Sequence, residues 1–489
     1  MAAAAVLLTA CGNSSSGANA AAAKVDNVDV VTELAVNNLD GLNSGSITVT
    51  KAIYSYLVYV DPTGKLAPDV AERWTPSADA TTWVFDLFPD QKFSDGSPLT
   101  ADDVVFSVKT ILANPKSTQS PYVSLVAAID KTGDNQVTVK LKSPSAAWPR
   151  QATALAVVPA ATYNADTFKT KPVAGGPYTV VSYNGTDRVV LKANPLYRGA
   201  KPAIENASIQ YVGDQTTRLS GLQSGQFDLA TLSGPEVTTA EQAGLVVQST
   251  QSARVDYLGY NVTLPGLDSQ KLRQAISYAV DRKSLVGTLL EGRGEPANQL
   301  FGESTYGYDP SIQVPAQDVA RAKQLVQESG YTGQEILFEY PATSYVPNSA
   351  QMAQAIGGYL NAIGIKVKLA AVQDNTFLTN FLAKKLSGMY LFSATTSSLD
   401  GGGTFNFNVG IVNSFTDPEL TALQKQQTGE VDSTKRQQLM GQISRIINDK
   451  AYYTPLFVEQ NNYVHSKEIS LSTPPAHGYS YPQLVVPAS

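Results

Sequence analysis

The sequence predicts an α/β protein of two or more lobes with a ligand cleft between them. Three observations carry that prediction. The chain has 489 residues, more than a single hydrophobic core organises. Its first half reads as strands with a few helices, and its second half alternates helices with strands, the pattern of a mainly parallel sheet. No catalytic or metal-ligating constellation is recognisable, which leaves binding in a cleft as the work of a lobed chain.

From the N-terminus, the first feature is "LLTACGNSSSGANAAAAK", Leu7 to Lys24, which holds the only cysteine, Cys11. A lone cysteine closes no internal disulfide and makes no zinc site. Ahead of it run apolar residues ending in Leu8-Thr9-Ala10; behind it comes a Ser/Gly/Asn/Ala tract too polar for a core. That order is the tail of an export signal, and Leu8 to Cys11 resembles a bacterial lipobox, whose cysteine is acylated. Two or more acyl chains anchor stably, at about 0.8 kcal/mol for each buried CH₂. Residues 1–10 are read as a signal remnant and 11–24 as a lipid-anchored flexible linker.

The elements follow in order. "TTWVFDL" puts Trp83, Phe85 and Leu87 on one strand face, and "QVTVKLK" alternates Val137, Val139 and Leu141 in the same way. "LTADDVVFSVKTIL" is a helix capped by Thr100, with Asp103 at capping-box spacing and Val104, Val108, Ile111 and Leu112 as its buried stripe. "DSQKLRQAISYAVDRKSLVGTLL" carries Leu272, Ile276, Ala279 and Val280 at helical spacing. "DVARAKQLVQESGY" starts at a capping Asp318 and stops at Gly330. Met352, Ile356, Leu360 and Ile363 share a face in the next helix, which Gly364 ends. The helix from "DSTKRQQLMGQISRII" is predicted to bury Leu439, Ile443 and Ile446.

Composition removes several function classes. Net charge is −6 with no basic run, against nucleic-acid binding. Charged residues make up 16%, below a typical ~25%, and 24 tyrosines are present. The two histidines, His465 and His477, lie near the C-terminus without a Gly-x-Ser-x-Gly elbow. There is no phosphate-binding loop, and "DGGGTF", Asp400 to Phe405, does not match a dinucleotide fingerprint. No metal-ligand spacing occurs. The expectation is a binding protein without cofactor or metal, and not an enzyme; a two-carboxylate glycosidase, whose acids can lie far apart in the chain, is the remaining enzymatic alternative.

The stretch "KLAPDVAERWTPSADATTWVFDLFPDQKFSDGSPLTADDVVFSV", Lys65 to Val108, then "GGPYTV", "LKANPLYRGAKP", "LQSGQFDLA" and "KLRQAISYAVDRKSLV" follow one another in a familiar order. On these the chain resembles the extracellular solute-binding proteins of family 5, the peptide, nickel and oligopeptide type that serves ABC importers. The resemblance runs from about Val30 to Val464. It implies a two-lobed periplasmic-binding-protein-like fold of the class II, cluster C type, with an extra subdomain in the first lobe. The implied bounds are lobe 1 over 25–256, its subdomain over about 45–172, lobe 2 over 257–464 entered near Tyr257–Asn261, and a return to lobe 1 over 465–489.

The resemblance also places candidate ligand residues. Phe392 takes the Trp position of a "GW..D" segment, and Thr395 takes the position of the acid that holds a dipeptide's amino group. Asp400 matches a later structural loop residue. In "YPATSYVPNSAQM", Ser344 or Thr343 stands where relatives place an Arg for the ligand carboxylate. Tyr345, Thr396, Ser397, Tyr257 and Arg254 complete the candidate set. Both charge anchors of a short zwitterion are thus replaced, which disfavours a bare dipeptide. The implied function is capture of a peptide or peptide-like solute outside the cell, by a monomer held to the membrane through its lipid alone. Its partners are an ABC permease and ATPase. A neutral oligosaccharide, an opine-like solute, or a sensor or chaperone role are the alternatives.

Overall fold

The computed structural model describes residues 25–61, 64–185, 187–313, 315–342, 346–396, 398–476 and 478–488. The Cys11 lipobox and linker, Thr343, Ser344, Tyr345 and Ser397 lie outside the described residues.

Two long strands, Val246–Tyr260 and Tyr453–His465, organise the molecule. They pair antiparallel from Val246↔His465 to Gly259↔Tyr453 and sit in the middle of an eleven-stranded sheet. Outward on one side lie Leu229–Leu232, Asn27–Thr32, Asn206–Tyr211, Arg188–Ala193 and Tyr178–Tyr183; these build lobe 1. On the other side lie Met389–Thr395, Ile336–Pro341 and Val367–Val372, the last two parallel; these build lobe 2. The fold is a two-lobed α/β architecture of the periplasmic-binding-protein type.

The ladder between the two long strands is irregular between Gln251 and Val255. There Ala253 turns its N–H to the Ala476 carbonyl, while its own carbonyl accepts from Thr396 N–H. Beyond the break, Arg254–Tyr260 pairs with Met389–Thr395. The break lies a few residues before Tyr257–Asn261, and the partner strand passes it at Val458–Gln460.

In lobe 1 a four-stranded antiparallel sheet runs in the order Ala71–Pro76, Thr82–Leu87, Gln136–Leu141, Val126–Gly133. Trp83, Phe85, Leu87, Val137, Val139 and Leu141 are all buried, as their alternation requires. The helix Ala101–Ala113 begins at Thr100, whose N–H and hydroxyl both donate to Asp103 Oδ2, at 2.8 and 2.9 Å. One apolar cluster runs continuously from Val28 and Ile209 of the large sheet to Phe85 and Val139 of the small one. The extra subdomain thus shares its core with the rest of lobe 1.

Lobe 2 has a core on each face of its sheet. Leu258 faces the cluster of Leu272, Ile276, Ile356 and Leu360, while the adjacent Tyr257 faces that of Phe377, Phe381, Met440 and Ile443. Two helices differ from the sequence reading. The run after Ser269 is two helices, Gln270–Ala279 and Arg282–Leu289, because Asp281 caps the second by accepting from Ser284 N–H. The helix Ser433–Asp449 buries Arg436, Met440, Ile443 and Ile447, leaving Leu439 and Ile446 only partly buried. A charged residue with a buried partner occupies the inward position there, so the apolar stripe points to a face rotated from the true one.

The C-terminal segment packs against lobe 1. Strands Ile469–Leu471 and Val485–Pro487 pair with each other, and Leu471 and Val485 enter the lobe 1 core.

Candidate functional site

The lobes face each other across a cleft of about 1020 Å³, its open mouth included. Each wall is built by different elements. Lobe 1 supplies Lys51 at the end of the helix Ile47–Ile53, Tyr59 from the strand Val58–Val60, Tyr122, and Arg150 from the short helix Trp148–Gln151. The C-terminal segment adds Pro475, Tyr479 and Tyr481, the passage between lobes adds Ser252 and Ala253, and lobe 2 adds Thr395 and Ser398. An adjoining space of about 950 Å³ shares Tyr122, Thr395 and Ser398 and extends along lobe 2 past Ser393, Thr404 and Phe407.

Thr395 is exposed at the end of its strand and faces both spaces. Thr396 lines the second space but is almost buried, its hydroxyl 2.9 Å from that of Thr404. Arg254 pairs across the ladder with Thr395 and donates from Nη2 to Ser393 Oγ at 3.0 Å. Ser393 in turn donates to Asp256. Asp256 is fully buried, and burial followed by the nearby Glu459 pushes its carboxyl well above the usual range, with Arg254 opposing.

Two of the proposed ligand residues are walls rather than surfaces. Tyr257 has no exposed surface; its hydroxyl donates to Asn408 Oδ1 at 2.7 Å inside lobe 2. Phe392 is half-buried and packs inward, 4.3 Å from the Phe381 ring centroid and 6.0 Å from that of Phe377. The strand that bears Tyr257 is covered on both faces here, so it carries no alternation from which sequence could tell inside from cleft.

Asp400 is 1% exposed and holds Arg436 through two parallel contacts of 2.7 Å, with Gly402 N–H donating at 2.9 Å. Arg150 reaches across from lobe 1, its Nε 3.5 Å from Asp400 Oδ2 and its Nη1 donating to the Ser398 carbonyl at 3.3 Å. The Tyr306 ring lies beside both guanidiniums, 5.5 and 5.1 Å from their centres. Burial alone would push Asp400 up; Arg436, then Arg150, outweigh it and hold the carboxyl below its ordinary value. Asp400 thus holds Arg436 and contacts Arg150 of lobe 1 at once.

Sequence reasoning missed Lys51, Arg150 and the tyrosines of the C-terminal segment. Lys51 closes a seven-residue helix and reads as an ordinary surface lysine. The segment around Pro475–Tyr481 has no period to read, though its tyrosines were part of the compositional excess.

A sheet that passes twice between two lobes, with a tyrosine-rich cleft at the passage, is the architecture of a two-lobed binding protein. Comparison makes this definite: the model of the bacterial extracellular solute-binding proteins, family 5, matches residues 65–416, and the chain belongs to that family. It is a transport binding protein, not an enzyme, and captures a solute for an ABC importer. Among curated relatives, "Probable di/tripeptide-binding protein 5" of Pseudomonas aeruginosa (strain UCBPP-PA14) is 27% identical, covering 92% of each chain. The "Probable D,D-dipeptide-binding periplasmic protein DdpA" of Escherichia coli (strain K12) is also 27% identical, over 88% of this chain and 87% of its own. Among solved structures, HbpA2 from Haemophilus parasuis superposes with a TM-score of 0.85 at 22% identity, over 95% of this chain and 100% of that one. NikA from Brucella suis in complex with Fe(III)-EDTA gives 0.82 at 21%, over 94% and 99%. No described helix is long and apolar enough to cross a membrane.

Proposed function

We propose that the protein is a lipid-anchored receptor, monomeric at the outer face of the cell membrane, that captures a peptide or peptide-like solute by closing its lobes. The observation that carries this reading is the cleft wall at Thr395, exposed between the lobes beside a ladder break that lets them move. The two peptide-binding relatives support the solute class. Thr395 and Thr396 form the lobe 2 side of the site, with Arg254 behind it through Ser393, and the family resemblance adds Ser344, Tyr345 and Ser397. Phe392 and Tyr257 stiffen that wall from behind. Hydroxyls give hydrogen bonds without countercharge, which suits backbone amides better than a free ammonium. Cys11 supplies the anchor.

Native mass spectrometry of the freshly purified protein tests the solute class: a bound peptide mass supports it, and a bound sugar mass refutes it. The anchor has its own test. Cys11→Ser in the full-length protein releases it into the medium with ligand affinity unchanged; retention on the membrane refutes the lipobox.

A further inference from the structure

The lobe 1 wall carries an amine, Lys51, that no carboxylate among the described residues contacts. Lys51 is only partly exposed, and its Nζ donates to the Thr153 carbonyl at 2.5 Å. It stands 3.5 Å from the Tyr56 ring centroid and 5.9 Å from that of Tyr59. Among the described residues no carboxylate lies within 4.0 Å of it. A ring face and one carbonyl solvate an ammonium incompletely, and an ammonium drawn from water without a countercharge is costly. The Gln483 side chain donates to the Lys51 carbonyl, tying the helix end to the C-terminal segment and fixing where the ammonium stands.

Two more cations stand at the same cleft. Arg150 and Arg436 share the carboxylate of Asp400, and Asp61 in the cleft lining also acts on Arg150. Arg150 is nonetheless engaged by Asp400, Gly64 and Ser398, so Lys51 is the group with donors to spare.

We propose that Lys51 is an anion-binding residue of the cleft, and that the solute presents a carboxylate to it from between the lobes. The proposal rests on the peptide reading for the identity of that carboxylate. It moves the anchor away from Ser344, the position at which the family resemblance implies that the usual arginine is replaced.

The charge state of Lys51 supplies an independent readout. Burial, opposed by Asp69, lowers its ammonium to about 7. The groups that face it are Asp69, the Tyr56 and Tyr59 rings and, along the same cleft, Asp61, Tyr122, Arg150, Tyr479 and Tyr481. At pH 8 the free protein therefore holds Lys51 largely neutral, and a bound carboxylate draws a proton onto it.

The test uses N-acetyl-Ala-Phe and N-acetyl-Ala-Ala-Ala-Phe, each as free acid and C-terminal amide, with 3-phenylpropionate and its amide as a pair lacking peptide bonds between residues. Calorimetry on the whole protein is expected to show acids binding at least ~10-fold more tightly than amides. Lys51→Met erases the difference; Lys51→Arg keeps it. In two buffers of different ionisation enthalpy at pH 8, the wild type takes up a proton on binding acid and Lys51→Arg does not. Equal binding of acids and amides, or an acid preference that survives Lys51→Met, overturns the proposal. So does a wild type that binds none of the acids; if the peptide amides still bind, the peptide reading alone survives. Lys51-dependent binding of 3-phenylpropionate with no binding of any peptide leaves the anion site standing and removes the peptide reading.

Discussion

Removing the carboxylate of Asp400 strands two guanidiniums. The side chains of Asp400 and Arg436 are 1% and 6% exposed, and that of Arg150 is 10% exposed. Breaking a buried pair by deleting one partner costs about 3–5 kcal/mol. Here the carboxylate serves two cations that otherwise repel through the same space, which places Asp400→Ala at the upper end of that range. Asp400→Asn keeps the shape and the acceptor for Gly402 N–H but not the charge, and is expected to cost about 2–3 kcal/mol. Urea unfolding, read as a shift in midpoint at constant slope, measures both. Adding Arg436→Met to Asp400→Ala removes one stranded charge, so it recovers part of the loss, whereas Arg436→Met alone destabilises. The pH dependence has a definite sign. The folded carboxyl is held below its ordinary value, so its contribution is complete above the unfolded value of about 4 and is lost as pH falls through the lower folded one. The gap between wild type and Asp400→Ala should stay level from about pH 8 to 5 and close below 4. A loss under about 1 kcal/mol, or an Arg436→Met change that costs the same with and without Asp400, refutes the reasoning.

Two further outcomes are expected. Gly402→Ala improves intrinsic helix propensity by about 1 kcal/mol, yet its Cβ would press on Arg436 and stand 2.8 Å from Asp400 Oδ1, so net destabilisation of about 1–3 kcal/mol is expected in the same urea assay, and a stabilised variant contradicts the fit. Thr395→Asp combined with Ser344→Arg should raise affinity for unmodified dipeptides more than either change alone, because each end of a zwitterion needs its own countercharge; equal gains from the single changes in calorimetry count against that placement.

Elements whose sequence pattern has a single cause were legible. Trp83, Phe85 and Leu87 alternate because one face of their strand is buried, and Thr100 with Asp103 announces a helix start by local hydrogen bonding alone. The family resemblance over Lys65 to Val108 was legible for the same reason: those residues answer to their near neighbours. What failed depends on groups far apart in the chain. The rotation of Ser433–Asp449 follows from a partner 36 residues upstream of Arg436, and no period within the helix records it. Tyr257 and Phe392 match ligand positions in the resemblance but are drawn into an aromatic cluster with Phe377 and Phe381. Thr395, beyond that cluster on the same strand, lines the cleft. Lys51 was invisible because its significance lies in what is missing around it.

The C-terminal segment gives the molecule an order of assembly. Most strands of both lobes and the first passage between them are encoded before residue 450, whereas the second central strand, Tyr453–His465, follows it, and Tyr479 and Tyr481 of the cleft wall, with the Gln483 that secures the Lys51 helix, come among the last eleven residues. A chain emerging from synthesis or translocation at its N-terminus first can begin to condense its lobes while the receptor is still unfinished. Solute met on the way out finds a cleft with one side open, and recognition is withheld until the final residues have arrived.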